Sequence, residues 1–270
     1  MSPRFVAHRG GAALWPENSL EAFRGAIALG APLLELDVHL TADGHVAVIH
    51  DATLERTTTG TGPVGRRTAA ELARVRLKKP DGALADAGVP MLEDVLALAA
   101  PTPVALLVEI KTPGPAVRYE STAEGARAVP GERYPGLERR VLTLLEAAGV
   151  APRAIVMAFN PAVVAEVRML APRQATTLLV DRHHVAEAGA RGADAVAWAV
   201  RAGVSYLGLH WSLCDADVIA AARAAGIAVG VFTVNDEAEM RRLAALGVDV
   251  IISDRADLVA SMQREAAARP

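Results

Sequence analysis

Cysteine is almost absent from this chain of 270 residues, in which Cys214 is the single example. One thiol cannot form an intrachain disulfide framework, and zinc sites built from thiolates need several of them. The composition therefore excludes a disulfide-stapled scaffold and a cysteine-built zinc site. The scarcity of cysteine also suits a reducing compartment, and we predict a cytoplasmic location.

The chain also lacks an excess of positive charge. It has 28 basic and 31 acidic residues, which give a net charge of -3. A protein of this balance presents no broad positive surface to nucleic acid or to an anionic membrane. We therefore expect no nucleic-acid partner, and any anionic ligand must be held by a few local side chains.

Long apolar runs and leader-like segments are missing as well. Residues 195–209 form an apolar stretch, but polar residues and a glycine interrupt it. It falls short of the roughly 20 uninterrupted residues that a membrane span needs. Residues 1–8 show no apolar core followed by a cleavage site. The sequence predicts neither a membrane span nor a secretion signal.

What the sequence does contain is an alternation of strand-like and helix-like segments. The strand-like segments are residues 5–8, 33–40, 104–110, 154–159, 174–180, 204–210, 227–233 and 248–253. The helix-like segments between them include residues 19–29, 91–99, 137–148, 162–170, 215–225 and 236–246. Glycines at positions 30, 149, 226 and 247 follow helical segments, where left-handed C-terminal caps are expected.

This order predicts an α/β fold, a closed (β/α)8 TIM barrel that forms a single catalytic domain over residues 1–270. An open doubly wound sheet is the competing architecture. No Gly-x-Gly-x-x-Gly follows the first strand, so the nucleotide-binding version of that sheet is not expected.

Two segments break the alternation. Residues 41–90 form an insertion after the second strand, and residues 113–136 are rich in proline, glycine and charge. Both are longer than a simple strand-to-helix connection. Because long insertions at such connections usually build the active face of a barrel, we expect residues 41–90 at that face.

The second predicted strand carries acids in an apolar run, and buried charges need partners. Glu35 and Asp37 are two residues apart, so they share one face of a strand. Leu34 and Leu36 occupy the other face. If these leucines pack against the helices, both carboxylates point toward the barrel axis.

The third predicted strand also has two charged residues on one face, Glu109 and Lys111, near its carboxyl end. The carboxyl ends of neighbouring barrel strands meet at one mouth, where carboxylates would form a hard oxygen site for magnesium, calcium or manganese. The competing interpretation is a structural ion-pair network. Either pattern alone favours the network, whereas the two together favour a metal site.

Two histidines are expected at the same mouth. His8 ends the first strand, and the Asp-Gly pair at 43–44 predicts a hairpin that returns the chain to His50. An imidazole can remove a proton on one side of a reacting bond while another donates on the far side. Each histidine could equally be a structural strand-end residue, which is the role we assign to His39 and His45.

Cationic side chains beside these residues favour an anionic substrate. Arg9 offers a planar fork suited to phosphate, and Lys111 offers a point charge near the carboxylates. The alternative for each is a salt bridge to a neighbouring acid. Asn18 is expected to cap the helix that follows it.

Several stretches of the sequence resemble the conserved blocks of the glycerophosphodiester phosphodiesterase family. Among them are "AHRGG", "WPENSLEAF", "LLELDVHLTADGHVAVIHD", "VEIKT", "VGVFTVND" and "GVDVIISDRADL". The ordered set His-Arg-Gly, Pro-Glu-Asn, Glu-x-Asp, His-Asp and Glu-x-Lys is far more specific than any one motif. The likeness spans nearly the whole chain.

The resemblance implies a (β/α) barrel that hydrolyses a glycerophosphodiester to glycerol 3-phosphate and an alcohol. It also implies one divalent cation, magnesium or calcium. Carried over to this chain, Glu35, Asp37 and Glu109 would bind the metal, and His8 and His50 would be the acid/base pair.

The resemblance also implies a substrate-binding set, in which Arg9 and Lys111 stabilise phosphate charge. Glu17 would support the first loop, and Phe232 would form an aromatic wall of the pocket. Phe232 stands where many relatives have tryptophan. Phenylalanine keeps an aromatic ring at this position but lacks the N–H donor of an indole.

Alternative functions fit the same residues less completely. An enolase-like enzyme acting at carbon would not need two histidines beside Arg9. A non-catalytic barrel that binds phosphodiesters should have lost a metal ligand or an imidazole, and neither is missing. A different metal-dependent phosphodiesterase, acting on lysophospholipid-like substrates, is the remaining alternative.

Overall fold

The computed structural model describes residues 2–122 and 125–268 of the chain. The strands in these residues are β1 (Arg4–Ala7), β2 (Leu33–Leu40), β3 (Val46–Val48), β4 (Ala105–Ile110), β5 (Val117–Thr122), β6 (Gly125–Pro130), β7 (Ala154–Ala158), β8 (Ala175–Val180), β9 (Tyr206–His210), β10 (Ala228–Phe232) and β11 (Val250–Ser253). Eight of them, β1, β2, β4 and β7 to β11, pair in parallel and in sequence order. The ring closes because β1 pairs with both β11 and β2, which confirms the predicted TIM barrel.

Helices lie between the barrel strands. Those in the described residues are α1 (Leu20–Leu29), α2 (Ala69–Leu72), α3 (Leu92–Ala99), α4 (Leu137–Ala147), α5 (Pro161–Leu170), α6 (Arg182–Glu187), α7 (Asp194–Ala202), α8 (Ala216–Ala225), α9 (Glu237–Leu246) and α10 (Ala256–Ala268). Gly30, Gly226 and Gly247 end α1, α8 and α9 with φ of 90°, 68° and 98°. These are left-handed caps, as predicted.

No helix in the described part of the chain has the length and apolar character that crossing a membrane requires. The single cysteine, Cys214, is buried and free.

Side chains of the barrel strands alternate between two apolar layers, because successive residues of a strand face opposite ways. Leu34 and Leu36 belong to the outer layer, together with helix residues such as Phe23 and Leu92. The inner layer fills the barrel with residues such as Leu33. Leu34 and Leu36 therefore pack against the helices, and Glu35 and Asp37, which alternate with them along β2, face inward.

The insertion 41–90 folds onto the barrel through β3, which pairs with β2 in antiparallel register. The chain turns at Gly44, where φ is 81°, in agreement with the predicted hairpin. The rest of the insertion has its own small apolar cluster, which includes Leu54 and Leu72. This cluster anchors the segment that carries His50.

Residues 113–136 contain structure that the composition did not predict. Strands β5 and β6 form a two-stranded antiparallel sheet separate from the barrel. Tyr119 from this sheet stacks on Trp198 of α7, with ring centroids 4.3 Å apart. This two-stranded sheet therefore packs on the outer layer of the barrel.

Candidate active site

A cavity of about 290 Å³ opens at the carboxyl ends of the barrel strands. It is lined by His8, Arg9, Glu35, His50, Glu109, Lys111, Met157, Phe159, Leu179, Asp181, His210, Phe232, Thr233 and Ile252. The ionisable residues of β1, β2 and β4 and of their following loops form one half. The other half is mostly apolar and comes from β7 to β11. Most of the site residues predicted from the sequence therefore line a single cavity.

The three predicted metal ligands converge, and we call Glu35, Asp37 and Glu109 the carboxylate cluster. Each offers an oxygen within 4.8 Å of the oxygens of the other two. Asp37 and Glu109 are direct register partners on the adjacent strands β2 and β4. All are buried, with exposed fractions of 1%, 0% and 7%. The period of two along β2 and the register between the strands together produce the cluster.

Arg9 and Lys111 partly balance this buried negative charge. Lys111 Nζ lies 2.6 Å from Glu109 Oε1 and 3.0 Å from Asp37 Oδ1. Arg9 Nε lies 3.3 Å from Asp37 Oδ2, and the Arg9 backbone N–H donates to Glu35 Oε2 at 2.9 Å. The ion pairs expected under the structural interpretation are thus present, but the two cations leave one carboxylate charge unbalanced.

The pKa values of the cluster reflect this imbalance. Burial, together with the charges of Asp37 and Glu109, raises the pKa of Glu35 well above its usual range. Burial acts in the same direction on Asp37, but the neighbouring positive charges, above all that of Lys111, hold its pKa well below its usual range. The cluster therefore contains one carboxyl that resists ionisation beside one that favours it.

The cluster fits a hard divalent cation. Its donors are all carboxylate oxygens, the ligand type of magnesium, calcium and manganese. Asp37 Oδ1 is buried and accepts no hydrogen bond, although Lys111 Nζ lies at ion-pair distance. An oxygen in this state has a lone pair available for a cation.

Asn18 supports the cluster from the first loop. Its side-chain N–H donates to Asp37 Oδ2 at 2.8 Å, and its side-chain oxygen accepts from the Asp37 backbone N–H at 3.2 Å. The prediction that Asn18 caps α1 is wrong, because Ser19 accepts the capping hydrogen bond from Ala22. Asn18 instead has φ of 56°, a left-handed conformation that asparagine tolerates and that directs it inward.

His8 is oriented by a residue from the far end of the sequence. Its Nδ1–H donates to Asp254 Oδ1 at 2.6 Å. Asp254 Oδ2 in turn accepts from the side chain of Asn235 at 2.7 Å. The free Nε2 of His8 lies 3.8 Å from Glu35 Oε2, at the edge of the carboxylate cluster.

His50, which lines the same cavity, has an equivalent arrangement. Its Nδ1–H donates to Asp51 Oδ1 at 2.6 Å. The backbone carbonyl of His50 accepts from His39 Nε2 at 3.0 Å, while His39 Nδ1 accepts from the Tyr134 hydroxyl at 3.0 Å. Burial lowers the pKa of His39 to about 4, so this ring is neutral and structural.

Arg56 links the first loop, which carries Glu17, to the insertion, which carries Asp51. Its guanidinium contacts both oxygens of Asp51 at 2.6 and 2.9 Å. It also contacts both oxygens of Glu17 at 2.8 and 2.9 Å. Glu17 Oε1 accepts a further hydrogen bond from Arg9 at 2.9 Å. Glu17 is therefore placed behind Arg9, outside the residues that line the cavity.

Asp254 and Arg56 were not identified from the sequence. Asp254 follows the last barrel strand, at the position equivalent to His8 after the first strand. That position was the available signal, because the ends of β1 and β11 must be neighbours in a closed barrel. Arg56 lies in the insertion, where no periodic pattern predicts which way a side chain points.

Phe232 lies on the mostly apolar side of the cavity, at the end of β10. Its ring makes an edge contact with Phe159, with centroids 5.8 Å apart. The predicted aromatic wall is thus made by two phenylalanines, one from β10 and one from the loop after β7.

The chain is similar to known proteins along most of its length. The model described as "Glycerophosphoryl diester phosphodiesterase family" matches residues 8–258. The "Probable glycerophosphodiester phosphodiesterase 1" of Mycobacterium tuberculosis is 36% identical over 192 residues, 66% of this chain. That match spans 64% of the mycobacterial protein, less than two thirds of its length.

Two further comparisons cover nearly all of the chain. The "Glycerophosphodiester phosphodiesterase" of Caldanaerobacter subterraneus subsp. tengcongensis is 28% identical over 268 residues, which are 98% of this chain and 99% of that protein. A crystal structure of a glycerophosphodiester phosphodiesterase from Agrobacterium tumefaciens has a TM-score of 0.75 at 26% identity. It covers 96% of this chain and 99% of its own.

Proposed function

Since this chain belongs to the glycerophosphoryl diester phosphodiesterase family, we propose that it hydrolyses glycerophosphodiesters to glycerol 3-phosphate and an alcohol. The observation that carries the proposal is the convergence of two imidazoles, two cationic side chains and the carboxylates of Glu35 and Glu109 on one cavity, with the Asp37 carboxylate buried beside them. Such a set combines charge stabilisation with proton transfer, which phosphodiester hydrolysis requires.

The proposed enzyme depends on a divalent cation held by Glu35, Asp37 and Glu109. These residues carry three negative charges when ionised, against two positive charges on Arg9 and Lys111. A divalent cation would convert the remaining negative charge into a positive one, which matches the single negative charge of a phosphodiester. When bound, such a cation supplies Lewis-acid polarisation of a phosphoryl oxygen.

His8 and His50 are the proposed acid/base pair. In both rings Nδ1 is engaged by a carboxylate, from Asp254 and Asp51, so Nε2 is left to exchange protons in the cavity. Nε2 of one ring removes the proton from the attacking hydroxyl. Nε2 of the other gives a proton to the departing alcohol oxygen as its bond to phosphorus breaks. The attacking hydroxyl belongs either to water or to the glycerol moiety.

Arg9 and Lys111 are the proposed phosphate-binding cations. Both line the cavity and both are largely buried, with side-chain exposures of 15% and 12%. Negative charge on the nonbridging oxygens increases in the transition state, and fixed cations in a partly dry site stabilise it more than water does. Glu17 acts on the substrate indirectly in this scheme, by fixing the Arg9 guanidinium.

The test is a hydrolysis assay on purified protein with a panel of glycerophosphodiesters and a lysophospholipid. We expect glycerol 3-phosphate release with magnesium or calcium and its loss in chelator. Binding of diesters without turnover would indicate a non-catalytic barrel. Turnover of the lysophospholipid but of no glycerophosphodiester would favour the alternative function, a phosphodiesterase that acts on lysophospholipid-like substrates. Either result would contradict the proposal.

A further inference from the structure

A second, smaller pocket lies between the first loop and the insertion. Its volume is about 160 Å³. We call it the lysine pocket, and it is lined by Ala12, Trp15, Glu17, Arg56, Thr57, Lys78, Lys79 and Pro80. It shares no lining residue with the active-site cavity. The lysine pocket is therefore a separate site, placed where Arg56 contacts Glu17.

The lysine pocket has positive charge without a matching acid. Lysine occupies three of the 28 basic positions of the chain, and two of the three are Lys78 and Lys79. Lys78 Nζ donates to the backbone carbonyl of Glu55 at 2.7 Å. In the described residues neither ammonium group has a carboxylate within 4.0 Å. Both charges are thus available to an anion that enters the pocket.

Arg56 and Thr57 add hydrogen-bond donors to the same pocket. A guanidinium has five N–H groups, and the contacts of Arg56 with Asp51 and Glu17 use four of them. Thr57 is 8% exposed, and its hydroxyl has no hydrogen-bond partner in the described residues. A buried hydroxyl in this state lacks an acceptor. The pocket therefore has donors in excess, which is the requirement for binding an oxyanion.

We propose that the lysine pocket binds a phosphate group, that of inorganic phosphate or of a phosphate monoester, and that its occupation inhibits the enzyme. Such a group carries about 1.5–2 negative charges at pH 7, which two ammonium groups match. Two sources carry it. One is soluble, as in glycerol 3-phosphate, the product of the proposed reaction. The other is a lipid headgroup, because Leu14 and Leu84, 39% and 42% exposed, adjoin the pocket in the first loop and opposite Lys78.

Arg56 connects the lysine pocket to the proposed catalytic residues. It holds Asp51, which orients His50, and it holds Glu17, which fixes Arg9. An anion beside Arg56 competes with these two carboxylates for its guanidinium and loosens both contacts. The inhibition rests on the proposed function, whereas the binding of phosphate does not.

Lysine labelling tests the binding, because each of the three lysines can be followed separately. The protein is treated with an amine-acetylating reagent, and peptide mass spectrometry measures the rates at Lys78, Lys79 and Lys111. In a titration with inorganic phosphate, the rates at Lys78 and Lys79 should fall about fivefold at about four times the Kd. Lys111 reports the active-site cavity independently. Equal slowing by sodium chloride at the same ionic strength would overturn the proposal.

Further arms of this experiment distinguish the two sources. Glycerol 3-phosphate is compared with phosphatidylcholine vesicles that contain or lack phosphatidic acid. Slowing by the soluble ligands supports a soluble ester, and slowing only by the phosphatidic acid vesicles supports a lipid headgroup. If none of these ligands slows acetylation of Lys78 and Lys79, the lysine pocket does not bind phosphate.

Steady-state kinetics tests the inhibition. Phosphate that competes with substrate in the active-site cavity raises KM. Phosphate in the lysine pocket should instead lower kcat, by up to about tenfold, the loss expected when the fork of Arg56 is removed. A wild-type kcat that phosphate does not change would refute the inhibition. No turnover of any diester would overturn the proposed function and leave the labelling result unaffected.

A double variant links the effect on kcat to the pocket. Lys78→Gln with Lys79→Gln should abolish the effect of phosphate on kcat and retain its effect on KM. Arg66→Gln with Arg74→Gln is the matched control, because it removes the same charge from exposed positions of the insertion outside the pocket. The control should keep both effects. Thermal melts establish that each variant is folded, and inhibition of kcat that persists without the lysines would overturn the inference.

Discussion

The buried carboxylate cluster leads to an unusual prediction. Removing one of its charges should stabilise the protein and, at the same time, weaken cation binding. Glu35→Gln is the best perturbation. A glutamine side chain has nearly the same shape and retains an oxygen for the Arg9 backbone N–H, the contact that Glu35 Oε2 makes at 2.9 Å. What changes is the charge in a site where two cations face three carboxylates.

The sign of the effect follows from the pKa of Glu35, which burial and the neighbouring Asp37 and Glu109 raise in the folded state. An acid whose pKa is raised on folding loses stability as the pH rises from its unfolded pKa through its folded pKa. Without a cation, wild type should therefore lose stability relative to Glu35→Gln as the pH rises above about 4.3. At pH 8 we expect the variant to be more stable by about 1 kcal/mol, the usual size for relieving a destabilised functional site.

These energies convert into melting temperatures. For a chain of this size, 1 kcal/mol corresponds to about 2–4 °C, so in chelator the variant should melt about 2–4 °C higher than wild type. A cation at about 100 times its Kd stabilises wild type by about 2.7 kcal/mol, or about 5–10 °C. If loss of a ligand weakens binding about 100-fold, the same concentration stabilises the variant by about 0.4 kcal/mol, or about 1 °C.

The assay is thermal unfolding at pH 5 and pH 8, with chelator and with magnesium or calcium. Glu93→Gln, on an exposed position of α3, is the matched control and should behave like wild type. The reasoning is refuted if Glu35→Gln melts no higher than wild type in chelator at pH 8, or if the cation raises both melting temperatures equally.

Three further outcomes follow from the same geometry. His8→Ala or His50→Ala should lower kcat by at least about 100-fold without unfolding; rates near wild type would contradict the role of that histidine. Arg56→Lys keeps the charge but loses the fork that binds two carboxylates, so kcat should fall about tenfold. Arg241→Lys is its control, because Arg241 also joins two carboxylates on the surface. Chelator should abolish turnover, and restored cation should recover it.

Local periodicity was sufficient to predict the barrel and the convergence of the acidic residues of β2 and β4. Strand β2 spans residues 33–40 as predicted, because alternating residues face two different environments. The same alternation placed Glu35 and Asp37 on one face. Glycine caps and the Asp-Gly hairpin were predictable because each depends on the conformational preference of one or two residues.

Contacts between distant segments could not be predicted in this way. Asp254 bonds His8 across 246 positions of the sequence, and Arg56 joins loops through four hydrogen bonds that no repeat specifies. The two-stranded sheet of β5 and β6 had a weak sequence signal, which the proline and glycine content of residues 113–136 obscured. Val117 and Tyr119 are buried while Arg118 between them is exposed, which is the alternation of a half-buried strand.

Barrel closure itself creates one of the two imidazole–carboxylate contacts. Ala7 of β1 and Ser253 of β11 are register partners, so the residues that follow them, His8 and Asp254, emerge side by side. His50 obtains the same contact locally, from the adjacent residue Asp51. The orientation of His8 therefore depends on pairing between the two ends of the sequence, whereas the orientation of His50 depends on a single loop. It follows that a substitution that loosens the β1–β11 pairing should impair His8 before it disturbs His50.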